Sequence, residues 1–236
     1  MKRLHNWSLI LLALIGCQTT SPNPEELNGF THVLRLECVG GNAPNLQSRI
    51  GALDTNNPIY DFALVAGHAV PVERPCVVKD FFGRKSNVSL IRLADGYKSG
   101  EDTDWAIIRF KKIKTPNLVR YPLEPFEING PLNEIRVRFA QAFALPENTQ
   151  DCRLTTLEFP NNTQRISHDC RAIAGQSGSP LTTIVDGKHK LVGLHVGHLW
   201  MLDSPETRRP DRKGYINVFT SDMVADIKQV IARNSN

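Results

Sequence analysis

The feature that most constrains this chain is a succession of short segments rich in Val, Ile, Leu, Phe and Thr, each bounded by turn-forming residues. They read THVLRLEC, YDFALVA, SNVSLIRL, DWAIIRF, EIRVRFAQAFAL, CRLTTLEF, SPLTTIV, KLVGLHVG and YINVF. Branched and aromatic side chains suit a pleated surface, and this spacing argues for an all-β sandwich or barrel. Parallel α/β architecture would need helical stretches between the strands, and none separates these. A helix is expected only at the C-terminus, where Thr220 or Ser221 can cap DMVADIKQVIAR and Met223, Ile227, Val230 and Ile231 share a face. It would lie as a lid on a sheet domain. Between Lys111 and Asn133 prolines recur at 116, 122, 125 and 131, so this stretch reads as a connector between two β halves, roughly residues 28–115 and 130–219. With 236 residues, 41% of them hydrophobic, the chain can bury a core in one large domain or two small ones.

The N-terminus carries a different message. Lys2 and Arg3 precede WSLILLALIG, too short to span a bilayer comfortably and suited to the apolar core of an export signal. The signal ends in LIGC, which resembles the lipobox of bacterial lipoproteins. That resemblance implies cleavage after residue 16 and lipidation of Cys17, with an ordinary leader that loses Cys17 as the alternative. Gln18 follows, where an aspartate would favour inner-membrane retention, so the expected location is the bacterial outer membrane. QTTSPNPEE then reads as a flexible tether, giving a signal peptide at 1–16 and a tether at 17–28.

Setting Cys17 aside leaves Cys38, Cys76, Cys152 and Cys170, an even number in an oxidising setting. Three pairings are open. Cys38–Cys76 with Cys152–Cys170 is preferred because each pair then closes a loop within one half of the chain. Free buried thiols are the alternative, and a zinc site is disfavoured because no two cysteines have close ligand spacing. Charge is nearly balanced, with 28 Lys and Arg against 24 Asp and Glu. No nucleic-acid partner is expected, and the short basic clusters FKKIK and RRPDRK read as solvated faces.

Residues 174–181, AGQSGSPL, place Ser177 between Gly175 and Gly178. A serine hydroxyl is a poor nucleophile at neutral pH unless a base takes its proton and a third group orients that base. His68, where the strand of FALVAGHAV ends, and Asp104, where the strand of EDTDWAIIRF begins, can supply them. Singly, each has a commoner explanation: a strand-end histidine, a turn carboxylate, a turn hydroxyl.

Together ALVAGHAV, TDWAIIRF and GQSGSPL resemble, in order, the His, Asp and Ser motifs of the trypsin-like (chymotrypsin-fold) serine proteases, closest to the bacterial glutamyl-endopeptidase (V8-like) branch. GLHVG at 193–197 resembles the strand beside the specificity pocket, and GYINVFTSDMVADIKQVI the last strand and C-terminal helix. The likeness runs from about residue 30 to 233. It implies two six-stranded antiparallel β-barrels with a C-terminal helix: 29–120 carrying His68 and Asp104, and 121–236 carrying Ser177. It implies a serine endopeptidase acting on protein or peptide substrates, without cofactor or metal and as a monomer. Ser177 would attack, His68 serve as base and then acid, and Asp104 orient the imidazole; Asp102 is the rival carboxylate. The N–H groups of Gly175 and Ser177 would form the oxyanion hole. His195 and Gly197 would contact substrate and Arg171 could reach the base of the same pocket, with acidic P1 residues favoured; a packed strand histidine at 195 and a solvent-facing arginine beside Cys170 are the alternatives, the latter preferred for Arg171 because charged side chains mostly stay exposed.

The chain departs from the pattern in two places. Gly67 replaces the usual alanine before the histidine. Gln176 stands where animal digestive enzymes use an aspartate to bind a newly cut N-terminus, so no such activation switch is expected. His168, His189 and His198 have no assigned role; His195 and His198, three apart on a strand, would face opposite ways. A protein that kept this fold but lost turnover, serving as a binding or scaffolding lipoprotein, is the competing reading, followed by one in which GQSGSPL is only a turn.

Overall fold

The structure, a computed structural model, describes residues 34–39, 46–71, 73–80, 82–115, 118–139, 151–158, 164–170, 176–186, 188–198 and 214–235. Cys17, Arg171 and Gly175, named above for lipidation, substrate contact and the oxyanion hole, lie outside them.

Six strands form the first barrel: β1 (Leu34–Cys38), β2 (Leu46–Asp54), β3 (Tyr60–Val65), β4 (Cys76–Lys79), β5 (Lys85–Leu93) and β6 (Ala106–Lys111). They are antiparallel in the order β1-β4-β5-β6-β3-β2, and the β1–β2 pairing closes the ring. A two-residue strand, β7 (Tyr121–Pro122), runs parallel to β2 at its edge. The second barrel contains β8 (Arg136–Phe139), β9 (Asp151–Glu158), β10 (Gln164–His168), β11 (Pro180–Val185), β12 (Lys188–His198) and β13 (Gly214–Val218). It closes in the order β10-β13-β12-β11-β8-β9. Helix α1 (Ser221–Arg233) follows. The all-β expectation holds as two closed six-stranded antiparallel barrels with one C-terminal helix.

Period-2 alternation puts one strand face inside a barrel and the other outside. Ala63, Val65, Ile108 and Phe110 fill the first barrel's core. Yet β3 and β6 are apolar on both faces, because their outer residues are covered too. Phe62, Leu64, Trp105 and Ile107 join Leu191, Leu194 and Phe219 of the second barrel and Met223, Val224, Ile227 and Ile231 of α1 in one cluster. The helix therefore seals the seam between the barrels. Each side chain so buried contributes roughly 1.5–3 kcal/mol. Thr220, not Ser221, caps it: the hydroxyl accepts from the Met223 N–H at 3.2 Å. Val224 is buried in the stripe, whereas Val230 is only half-buried.

Disulfides join Cys38 to Cys76 and Cys152 to Cys170. The first couples residues directly opposite on β1 and β4. Asp61 on β3 is buried and receives Arg120 Nε and Nη2 at 2.8 Å each, tying the connector to the first barrel.

Candidate active site

At the end of β3 the chain makes one 3-10 turn, Gly67–Ala69, which turns the His68 side chain into the open. Gly67 has a reason to lack a side chain. A Cβ there would stand 2.4 Å from Tyr97 Cε2 and 3.1 Å from Asp104 Oδ1, so the glycine makes room for the Tyr97 ring beside the histidine turn.

Asp104 precedes β6 in a loop held by its own hydrogen bonds. The Asp104 N–H donates to the Glu101 carbonyl at 2.9 Å, and Thr103 Oγ1 accepts from the Lys98 N–H and donates to the Gly96 carbonyl, each at 3.0 Å. The carboxylate is fully buried. Oδ1 accepts the His68 backbone N–H at 2.8 Å, and Oδ2 meets His68 Nδ1 at 2.8 Å and the Gly100 N–H at 2.6 Å. Burial opposes ionisation, but the bonds from the His68 ring, Gly100 and the His68 backbone outweigh it, and the carboxyl titrates below its ordinary value. Burial and the same negative charge push the Tyr97 phenol up. Asp102 is exposed on this loop, and Asp104 is the residue in contact with His68.

Ser177 lies in the turn Gln176–Gly178, half-buried. Its carbonyl accepts from the Arg49 N–H at 3.3 Å and from Ser48 Oγ, so β2 of the first barrel grips a loop of the second. Gly178 has φ +82° and donates its N–H to the His195 carbonyl at 2.7 Å. A Cβ at 178 would fall 2.6 Å from the Arg49 carbonyl oxygen and 3.0 Å from the Ala66 nitrogen, two residues before His68. Only glycine allows that approach, which brings the serine turn against the histidine turn. Among the described residues no hydrogen bond joins Ser177 Oγ to the His68 ring. In unliganded sites such bonds are often long and tighten with substrate.

His195 is buried on β12, and its Nδ1 meets Nε2 of His168 on β10 at 2.9 Å. The rings are edge-on with centroids 5.1 Å apart. Gly214 lies against both: a Cβ there would be 2.4 Å from His168 Nε2 and 2.8 Å from His195 Cε1. One ring must donate and the other accept, so the pair cannot be doubly protonated and keep this bond. Gly197 packs against Tyr215, whose hydroxyl would be 2.8 Å from an added Cβ.

No family model and no curated protein matches the chain. Solved structures do. The thermostable serine protease AL20 from an extremophilic microorganism superposes with TM-score 0.59 at 12% identity, covering 88% of this chain and 98% of that one. The chain has a protease fold. The protease Anisep from Arthrobacter nicotinovorans matches with TM-score 0.59 at 14% identity over 86% of this chain and 96% of that one. GrC matches with TM-score 0.60 at 12% identity over 87% and 96%.

Three residues of this protease fold escaped sequence reasoning. His168 had no role until it met His195, Tyr97 none until it met Gly67, and Asn217 on β13 none until its Nδ2 reached the Glu101 and Asp104 carbonyls at 3.3 Å each. For Tyr97 the glycine before the histidine was the available signal. The others announce nothing in sequence.

Proposed function

We propose that this protein is an exported serine endopeptidase, lipid-anchored through Cys17 at the bacterial outer membrane, that cleaves peptide bonds through His68, Asp104 and Ser177. One observation carries the reading: a buried, ionised Asp104 holds both the backbone and the ring of His68, beside a turn that presents Ser177. Asp104 fixes the tautomer with Nδ1 protonated, leaving Nε2 as the base. His68 takes the Ser177 proton as Oγ attacks the scissile carbonyl, and the imidazolium formed is stabilised by the neighbouring carboxylate. The same ring returns the proton to the leaving amine, and water repeats the sequence on the acyl-enzyme. The N–H groups of Gly175 and Ser177 bind the oxyanion, each such donor contributing on the order of a hundredfold or more in rate.

Acidic P1 residues are the proposed preference, in keeping with the glutamyl-endopeptidase branch. His195 offers the partner for a substrate carboxylate, backed by His168 at 2.9 Å. Labelling by an active-site serine phosphonate tests the catalytic reading: Ser177 should be modified, and His68→Ala should abolish the reaction without unfolding the protein. Absence of labelling in folded, disulfide-bonded protein would favour a scaffold that has lost turnover. A peptide-library cleavage profile then reads the P1 preference.

A further inference from the structure

The run FKKIK reads in sequence as a solvated face, and the fold gives it neighbours that change the reading. At the end of β6 and just beyond it the chain carries Lys111, Lys112 and Lys114, all exposed. The turn between β4 and β5 is bound to this segment: Arg84 Nη1 donates to the Lys114 carbonyl, and Thr115 Oγ1 donates to Asp80 Oδ2 at 2.8 Å. Asp80 is buried and also accepts the Arg84 N–H at 2.8 Å and Nε at 2.6 Å. The carboxylate inside this framework is thus occupied by its own partners, while Lys85, Lys111, Lys112 and Lys114 project outward on a braced platform.

Two large apolar side chains are exposed on the same platform. Ile59 is 57% exposed and its carbonyl accepts the Lys112 N–H at 2.9 Å; Phe82, at the tip of the β4–β5 turn, is 45% exposed. Cations interleaved with exposed apolar groups are the chemistry of an interfacial membrane contact: the ammonium groups meet anionic headgroups and the apolar side chains enter the acyl boundary.

Chain topology adds two constraints. β3 runs from this platform to His68, and β6 runs from Asp104 back to it, so platform and candidate catalytic residues sit a strand length apart, about 20 Å. Arg35, near the start of β1, pairs with Lys79, which pairs in turn with Lys85. The described chain therefore begins beside the platform.

We infer that Ile59, Phe82, Lys85, Lys111, Lys112 and Lys114 form a docking face for an anionic phospholipid surface. It seats the first barrel on the bilayer while leaving His68 and Ser177 accessible. The inference rests on the acyl anchor proposed at Cys17, which would confine the protein to the membrane, while this face would set which side of the barrel rests there.

The test is hydrogen–deuterium exchange on the full chain reconstituted with phosphatidylcholine vesicles or with vesicles containing phosphatidylglycerol. Exchange at residues 80–86 and 110–115 should slow several-fold with the anionic vesicles only. The triple variant Lys111→Gln, Lys112→Gln, Lys114→Gln should lose that protection, each cation accounting for about fivefold in affinity. Phe82→Ser should weaken it. Equal exchange in both vesicle types would overturn the inference, and so would equal protection by soluble heparin or polyglutamate, which would assign the face to an acidic polymer. Phosphonate labelling of Ser177 on the same samples keeps this outcome separate from the catalytic reading.

Discussion

Asn217, on β13 of the second barrel, donates its side-chain amide to the carbonyl of Asp104 in the first, at 3.3 Å. The same Nδ2 reaches the Glu101 carbonyl at 3.3 Å, so one buried amide spans both ends of the turn that presents the carboxylate to His68. The candidate site is therefore held across the barrel seam twice: by Asn217 on the Asp104 loop and by Ser48 and Arg49 on the Ser177 turn.

Replacing Asn217 with leucine, close to it in shape, leaves the buried Asp104 carbonyl without this donor at about 1–3 kcal/mol, while the Glu101 carbonyl keeps the Asp104 N–H. The expected result is a fall of ten- to a hundredfold in kcat/KM. The fall should lie in kcat with KM little changed, because a displaced carboxylate orients the His68 ring less well. Active-site titration separates this from misfolding. A loss of titratable sites with unchanged kcat per remaining site would reduce Asn217 to a stabilising residue.

The Asp104 carboxyl is held below its ordinary value in the fold, so folding favours the ionised form. The sign follows: its contribution to stability is present above the unfolded-state pKa, near 4, and is lost as pH falls through the lower folded-state value. Thermal melts of wild type and Asp104→Asn should differ most near neutral pH, with the variant less stable, and converge in acid. In turnover the variant should lose about 10⁴-fold in kcat from the wrong imidazole tautomer.

Gly67→Ala places a methyl group 2.4 Å from the Tyr97 ring. Overpacking of this kind costs about 1–3 kcal/mol. Introduced together with Tyr97→Ala, the same methyl should cost much less. A double-mutant cycle of chemical denaturation measures the coupling, and additive effects would place the strain elsewhere.

Cys152 and Cys170 are 18 residues apart and join the start of β9 to the segment just before the Ser177 turn. Closing a loop of this size stabilises by about 3 kcal/mol through the unfolded chain. Cys152→Ser with Cys170→Ser should lower the denaturation free energy by that order. Peptide cleavage should fall further than stability alone requires, since the bridge precedes the residues proposed above for the oxyanion hole.

Sequence legibility followed how a segment is buried. β3 and β6 announced themselves because both faces are covered, so YDFALV and AIIRF are near-continuous apolar runs, and α1 did so through its stripe and cap. β2 was passed over. Its residues Ser48, Arg49 and Gly51 are polar or small because it forms the seam: a Cβ at Gly51 would meet Pro180 Cγ at 3.1 Å and Tyr121 Cε2 at 3.2 Å. β4 and β10, of four and five residues, were passed over as well.

Local pattern alone determined that this chain is a β protein with one terminal helix, and it singled out a histidine, an aspartate and a serine at strand boundaries, because period, turn chemistry and motif are written over a few neighbouring residues. Tertiary structure decided what those residues touch. The Asn217–Asp104 bond joins positions 113 apart and the Ser48–Ser177 bond positions 129 apart. Such pairs form only when two closed barrels set their seam residues against each other, and nothing in either short stretch encodes the other's position.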